Sequence, residues 1–167
     1  MLKTFKTIFA LLILCTGSFV FSQTSQSNIT NISAQLFYNQ NKENNEKDVA
    51  GKFSVNLIDN TEFSLWNTII GAGSAEGYSN QTIVIVSVNS KGLSNIEQTL
   101  KLTVSSGGKV LLKESKKFDC IGDIADFKIL FLLNDTGCDE LLLKAELMNK
   151  SKTLSTLSKT INFRCGE

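Results

Sequence analysis

Residues Thr82–Val88 read TIVIVSV, and the architecture of the chain depends on this stretch. Five of its seven residues are Ile or Val, whose β-branched side chains are stiff and favour a β-strand. Both alternating faces are apolar, and an uncharged run without proline would promote aggregation at an exposed sheet edge. The stretch therefore predicts a central strand, covered by other strands or set deep in a sandwich.

Short apolar alternations recur along the rest of the chain. They fall at residues 53–57, 63–65, 100–104, 110–112, 127–133, 141–147 and 157–163. Ser105–Gly108 is a strong hairpin signal, and Asn134–Gly137 suits a type I turn. About eight strands at this spacing predict an all-β sandwich or barrel.

One segment has conflicting signals. Residues 139–150 are rich in Leu, Glu, Lys and Ala, and their propensities alone would favour a helix. An alternating partner at residues 157–163 follows after a short turn near Asn149–Lys152. We therefore predict that the segment is a strand of a closing antiparallel pair.

The rhythm of strands and turns resembles that of an immunoglobulin-like or fibronectin-like sandwich, over roughly residues 52–165. The resemblance implies a single antiparallel β-sandwich of about seven to nine strands, with its domain at 52–167. The antibody-type order of Cys, Trp and Cys is absent, because Trp66 precedes Cys120, Cys138 and Cys165. This architecture hosts many functions, so the resemblance implies no activity.

Residues 1–22 have the pattern of a secretory signal peptide. Lys3 and Lys6 form a basic start, residues 8–14 are apolar, and Ser22 is a small residue before a cleavage site at Gln23. The run is too short to span a membrane comfortably. The sequence predicts export to the periplasm, the cell surface or the medium. A lipoprotein acylated at Cys15 is the less favoured alternative, because Leu14 is bulky.

The segment after the cleavage site, residues 23–51, is polar. It is rich in Asn, Gln, Lys and Glu, so much of it is expected to be flexible. Within it, residues 32–38 have apolar side chains at even positions and predict an additional edge strand.

The composition of the mature chain excludes some partners. Removal of residues 1–22 leaves 15 basic and 16 acidic residues, a net charge of −1. Such a chain has no electrostatic basis for binding nucleic acid or an anionic membrane. No later stretch is apolar enough for a transmembrane span.

The sequence lacks the groups of common catalytic and metal sites. It has no histidine, which removes Ser-His-Asp catalysis and the usual zinc ligand sets. Two clusters of acidic residues do not have the spacing of a calcium-binding loop. One cluster contains Asp119, Asp123 and Asp126, and the other contains Asp135, Asp139 and Glu140. Glycines at 71 and 73 are followed by a predicted strand rather than the helix of a dinucleotide fold. We predict no enzyme activity, no metal and no cofactor.

The cysteines predict one disulfide. If residues 141–147 and 157–163 form an antiparallel pair, Cys138 and Cys165 lie at the same end of the sandwich. An oxidising compartment would preserve the bond between them. Cys120 is expected at the other end as an odd thiol, either buried or available to a partner.

A partner-binding loop is the sequence's candidate functional site. Residues 71–80 contain Gly71, Gly73, Gly77 and Tyr78 and follow Trp66, and Trp and Tyr are favoured anchors in recognition loops. The competing interpretation is a plain connection between sheets, with Trp66 packed beneath it.

The leading functional hypothesis is an exported β-sandwich that binds another envelope or secreted protein, as an accessory or structural component of the cell envelope. The alternative is a periplasmic assembly factor that holds amyloid or pilus-like subunits by their exposed strands. A carboxylate-dependent enzyme ranks third. Neither the partner nor the oligomeric state follows from the sequence.

Overall fold

The structure, a computed structural model, describes residues 26–41, 48–58, 60, 64–66, 75–90, 92–93, 95–121, 125–134 and 140–166. For residues 64–66 and 164–166 it describes the backbone alone. The described residues contain eleven strands and no helix. The strands are β1 (Asn28–Phe37), β2 (Gln40–Asn41), β3 (Ser64–Trp66), β4 (Gly77–Tyr78), β5 (Gln81–Asn89), β6 (Ile96–Ser106), β7 (Lys109–Cys120), β8 (Asp126–Asn134), β9 (Leu141–Asn149), β10 (Lys152–Ile161) and β11 (Arg164–Gly166).

Two antiparallel sheets form a sandwich. One sheet has the strand order β1-β5-β8 and the other has the order β10-β9-β6-β7. Two short ladders, antiparallel β2-β4 and parallel β3-β11, accompany them. The predicted fold class is confirmed: the chain is an all-β sandwich whose three-stranded and four-stranded sheets match the fibronectin-like form.

Strand β5 lies at the centre of the three-stranded sheet, as the sequence predicts. It pairs antiparallel with β1 on one side and with β8 on the other. Val84, Val86 and Val88 are fully buried against the second sheet. Ile83 and Ile85 point to the opposite face, where they are half-buried. The central position therefore protects both edges of the most aggregation-prone stretch.

Strand β9 confirms the strand prediction for the segment with helical propensity. Its residues alternate, with Leu141, Leu143, Ala145 and Leu147 buried and the intervening side chains more exposed. It pairs with β10 and β6 over most of its length. Burial of one whole face outweighs the weak intrinsic preference of Leu, Glu and Lys for a helix.

The β6–β7 hairpin follows its turn signal. Ser106 pairs with Lys109, which leaves Gly107 and Gly108 as a two-residue loop. Both glycines have positive φ, +54° and +82°, as a type I′ turn requires. A bulge in β7 then shifts the register by one residue between the Ser105–Val110 and Val104–Leu112 pairs, beyond which Leu100, Leu102 and Val104 of β6 lie in the core.

One side of the sandwich is closed by a covering segment, residues 52–58, which lies along the free edge of β1. The Ser54 and Leu57 amides donate to the carbonyls of Leu36 (3.0 Å) and Ala34 (2.7 Å). An isolated bridge between Ile58 and Ile161 continues the cover to β10. Backbone groups along the outer edge of β1 are thus paired, and the segment reaches β10 at one point.

The strand predicted from Phe53, Val55 and Leu57 is wrong. The segment makes only isolated bridges at Phe53 and Ile58, and Phe53 and Val55 are exposed (51% and 59%). The Ser54 hydroxyl instead turns inward and accepts a hydrogen bond of 2.9 Å from the Leu36 amide. The alternation therefore did not predict the facing of the segment, in which Ser54 and Leu57 are buried while Phe53 and Val55 are exposed.

Candidate protein-binding surface

Among the described residues, the second side of the sandwich is left open. No described strand pairs with the outer edge of β8 or with that of β7. The two strands face each other across the sandwich, and we call the gap between them the open seam. An unpaired edge exposes a row of backbone donors and acceptors that can pair with another chain.

Four apolar side chains meet on the outer face of the three-stranded sheet beside this edge. Ile83 lies directly opposite Leu132, and Ile85 lies directly opposite Leu130. Leu130 and Leu132 are 49% and 41% exposed. Cross-strand pairs of this kind bring Cβ atoms within about 5 Å, so the four side chains form one surface, the apolar quartet.

Polar residues surround the apolar quartet. Ser33 and Gln35 of β1 lie opposite Ile85 and Ile83, and Ser87 and Lys128 pair beyond Leu130. An apolar patch with a polar rim is typical of a protein interaction site.

The outer face of the four-stranded sheet differs in character. Glu146 lies between Lys101 (3.2 Å) and Lys144 (3.0 Å), in an ion-pair network. Hydrogen bonds from Lys144 and Lys101 hold the pKa of Glu146 below its usual value, against the opposing effect of burial. This sheet also carries exposed apolar side chains, Leu142 (44%) in β9 and Val110 and Leu111 (55% and 52%) beside the β6–β7 turn. The ion-pair network distinguishes this face from the outer face of the three-stranded sheet, where the apolar quartet lies.

Lys116 of β7 crosses the open seam. Its Nζ donates to the carbonyl oxygen of Leu130 (2.7 Å) and lies 5.1 Å from the centre of the Phe131 ring. The Glu114 carboxylate is 3.4 Å away. Because the Leu130 carbonyl accepts from Lys116, the backbone groups of Leu130 point away from β5 and towards the open edge.

Apolar core residues are only partly covered along the open seam. Leu112 and Phe118 of β7, and Phe127 and Ile129 of β8, pack against the core without being fully buried. The rings of Phe118 and Phe127 lie 5.4 Å apart. The seam therefore presents apolar surface on the core side of β8, while the apolar quartet lies on the other side.

Two residues of the sequence-predicted loop site lie in a short ladder. Gly77 and Tyr78 form the two-residue strand β4, paired with β2, and their role in partner binding remains a prediction. Gly77 is buried, and a Cβ at this position would lie 2.7 Å from the Gln40 carbonyl oxygen and 2.8 Å from Val49 Cγ2. Its role is close packing of two backbones.

The other members of that site remain predictions. The backbone of Trp66 pairs with Gly166 in the parallel β3-β11 ladder. Gly71 and Gly73 lie outside the described residues. The described chain thus places Trp66 and Tyr78 in two different ladders.

Tyr38 is buried next to Gly77 and was not predicted as a site residue. Its hydroxyl oxygen accepts a hydrogen bond of 3.2 Å from the Glu76 amide. Burial raises the pKa of Tyr38 above its ordinary value, and the negative charge of Glu76 also raises it. The hydrogen bond from the Glu76 amide lowers the pKa, but by less than burial raises it. A buried neutral phenol in this position serves packing.

Two cysteines, Cys120 and Cys165, lie among the described residues. Cys120, at the end of β7, is buried as a free thiol. The backbone of Cys165 pairs with Leu65, and Cys138 lies outside the described residues. The predicted bridge between Cys138 and Cys165 therefore stays a prediction. Leu141, the first residue of β9, lies directly opposite Ile161, the last residue of β10. The chain therefore enters β9 and leaves β10 at the same end of the pair.

No group of three acidic or cysteine side chains among the described residues could hold a metal ion. Asp119, Asp126 and Glu140 belong to the described chain, whereas Asp123, Asp135 and Asp139 lie outside it. Within the same described part, no helix is long and apolar enough to cross a membrane.

A pocket of about 540 Å³ lies near one end of the four-stranded sheet. Asn95, Thr99 and Lys150 contribute to its lining, together with Lys117 and Glu97. The last two form an ion pair of 2.9 Å.

The sequence contained a signal for the apolar quartet. Residues Ile129–Leu133 are five consecutive apolar residues, so both faces of β8 had to be apolar. Sequence reasoning counted only the odd positions, which point to the core. The same two-sided pattern in Thr82–Val88 marks the neighbouring half of the surface.

No family model and no curated protein matches the chain. Thirty-nine chains of solved structures match it. One is a candidate beta-galactosidase from Bacteroides fragilis, with a TM-score of 0.41 and 19% identity over 48% of this chain. The chain spans 13% of that protein's length, and a similarity of this size carries no argument.

Proposed function

We propose that this protein is an exported, non-enzymatic β-sandwich that binds another envelope or secreted protein, as an accessory or structural component of the cell envelope. The apolar quartet beside the open edge of β8 is the observation that carries the proposal. It is an exposed apolar surface with a polar rim on a rigid sheet. The basic, apolar and small-residue pattern of residues 1–22 supports export.

A second candidate function is assembly of extracellular fibre subunits, such as those of amyloids or pili. The unpaired edge of β8 favours it, because a factor that holds subunits by their exposed strands needs an edge of its own. A structural component would remain in the final assembly in stoichiometric amounts. An assembly factor would change the rate of fibre formation and be absent from the fibre.

The binding proposal is tested by substituting the surface. Leu130 and Leu132 are changed together to Gln, and Leu142→Gln on the polar sheet serves as a matched control of similar exposure. Each protein is cross-linked in living cells and its partners are quantified by mass spectrometry. The double variant should lose its partners about tenfold or more, since burying two leucines on binding is worth roughly 1.5–3 kcal/mol each.

The control variant should keep all partners. If the double variant cross-links to the same partners as the unmodified protein, the apolar quartet is not the binding surface. Hydrolysis of glycosides by the mature protein, lost on substitution of a carboxylate, would contradict the non-enzymatic proposal.

A further inference from the structure

We propose that the open edge of β8 receives one extended strand of the partner protein, apolar on both faces and carrying an acidic side chain that binds Lys116. The inference rests on the proposed binding function and names the chemistry of the partner. Three features of the open seam support it: backbone groups directed to the open edge, apolar surface on both sides of that edge, and the Lys116 ammonium group seated on the Leu130 carbonyl.

The backbone of β8 is ready to pair. Leu130 directs its N–H and C=O to the open edge, and by the alternation of an antiparallel strand Lys128 and Leu132 do the same. The amide groups on the other residues of β8 serve the pairing with β5. An incoming strand would therefore find donors and acceptors at every second residue of a nine-residue strand.

Both faces of the incoming strand would meet apolar side chains. On the outer face it would lie beside Leu130 and Leu132, which already adjoin Ile85 and Ile83. On the core face it would cover Phe127 and Ile129, together with Phe118 across the seam. A strand with apolar residues of both parities matches this environment, whereas a one-sided surface strand does not.

The position of Lys116 favours an acidic strand. Lys116 and Glu114 lie on the core-facing side of β7 with their charged groups 3.4 Å apart, whereas Lys117 points outward and pairs with Glu97. Lys116 is the lysine inside the seam, and an incoming strand would displace its Nζ from the Leu130 carbonyl. A carboxylate on the partner would replace that carbonyl as its hydrogen-bond acceptor, and a charged acceptor makes the stronger bond.

The same lysine disfavours a second copy as the occupant. Two β8 strands that pair antiparallel with full overlap would place Leu130 opposite its own copy. The Lys116 side chains of both molecules would then converge on neighbouring Leu130 carbonyls. Like charges brought together across a strand pair are destabilising.

The test uses the mature protein and fluorescein-labelled peptides of about ten residues. One peptide is built from Val, Ile and Thr with a central Asp, the second has Lys in place of Asp, and the third is the Asp peptide with N-methylated amides on the edge facing β8. Binding is measured by fluorescence anisotropy. The Asp peptide should bind about tenfold or more tightly than either of the others.

Lys116→Met should reduce the preference for Asp over Lys to within about threefold, and Lys113→Met, on the outer face of β7, should leave it unchanged. Equal binding of the N-methylated peptide would overturn the proposal, because contact would then need no backbone pairing. A dimer of the unmodified protein linked through β8 would also overturn it. If no peptide binds while the Leu130 and Leu132 variant still loses its partners, the strand proposal fails and the binding function stands.

Discussion

The Nζ of Lys116 in β7 lies 2.7 Å from the carbonyl oxygen of Leu130 in β8, and this hydrogen bond joins two edge strands that belong to different sheets. It occupies a backbone acceptor at the middle of an open edge. Lysines on edge strands are a common protection against pairing between copies of a protein. The contact therefore opposes pairing between copies of the protein along this edge.

Replacing Lys116 with Met should promote self-association. The substitution frees the Leu130 carbonyl and removes the charge that opposes pairing of two β8 strands, while stability should change by less than about 1 kcal/mol, as for an exposed ion pair. Sedimentation velocity over a range of concentrations should show dimers or larger species. Lys113→Met, on the outer face of the same strand, should stay monomeric whenever the unmodified protein does.

Gly77→Ala should destabilise the protein by about 1–3 kcal/mol, the usual penalty of overpacking. The added methyl would meet the backbone oxygen of Gln40, which cannot move without opening the β2-β4 ladder. Urea denaturation measures the change. Gly107→Asn is the control, because that position has open space and needs only positive φ, which Asn tolerates; it should shift stability by less than about 0.5 kcal/mol.

Tyr38→Phe should make the free energy of unfolding less dependent on pH in the alkaline range. Burial raises the pKa of Tyr38 above its ordinary value of 10.0, so from about pH 10 upward the unfolded chain loses the phenolic proton before the folded one does. The stabilisation is present below pH 10 and disappears as pH rises through the folded pKa. The stability gap between the two proteins should therefore narrow above pH 10. A gap that stays constant to high pH would show that the phenol ionises equally in both states.

Cys138 and Cys165 should be linked in protein isolated from an oxidising compartment. Closing the loop between them would stabilise the fold by about 3.5 kcal/mol on the chain-entropy estimate. Peptide mapping without reductant checks the link, and buried Cys120 should be alkylated only after unfolding. Alkylation of Cys138 and Cys165 in the native protein would contradict the prediction.

The exported protein should begin at or near Gln23. Cleavage after Ser22 follows from the small residue that precedes the site. Mass spectrometry of the intact exported chain gives the terminus directly. A diacylglyceryl group on Cys15 would instead make the protein a membrane-tethered lipoprotein.

The fold was predictable where local and global signals agree. In Thr82–Val88, strand propensity and two-sided apolar character both require a central position, and β5 has it. Gly107 and Gly108 determine a tight turn by themselves. The residues of β9 were harder to predict as a strand, because their propensities favour a helix and only the partner strand that follows indicated otherwise.

The candidate surface was predictable only in part, because side-chain facing depends on which strand pairs with which. Leu130 and Leu132 were visible as apolar residues, but their position beside Ile85 and Ile83 follows from the register of β5 and β8. The role of Ser54 as a cap for β1 depends on a contact with Leu36, far away in the sequence. The contact that Lys116 makes across the open seam likewise becomes apparent only once β7 and β8 are known to be edge strands.

The closed side of the sandwich has a consequence for the speed of folding. The β6–β7 and β9–β10 hairpins join neighbouring parts of the chain, whereas β1 must find β5 across a long intervening segment. Closing that loop is slow compared with forming a hairpin, so β1 should dock late. Until it does, β5 has an uncovered edge. The interval before β1 docks is therefore the period in which Thr82–Val88 is most open to misassembly with other chains.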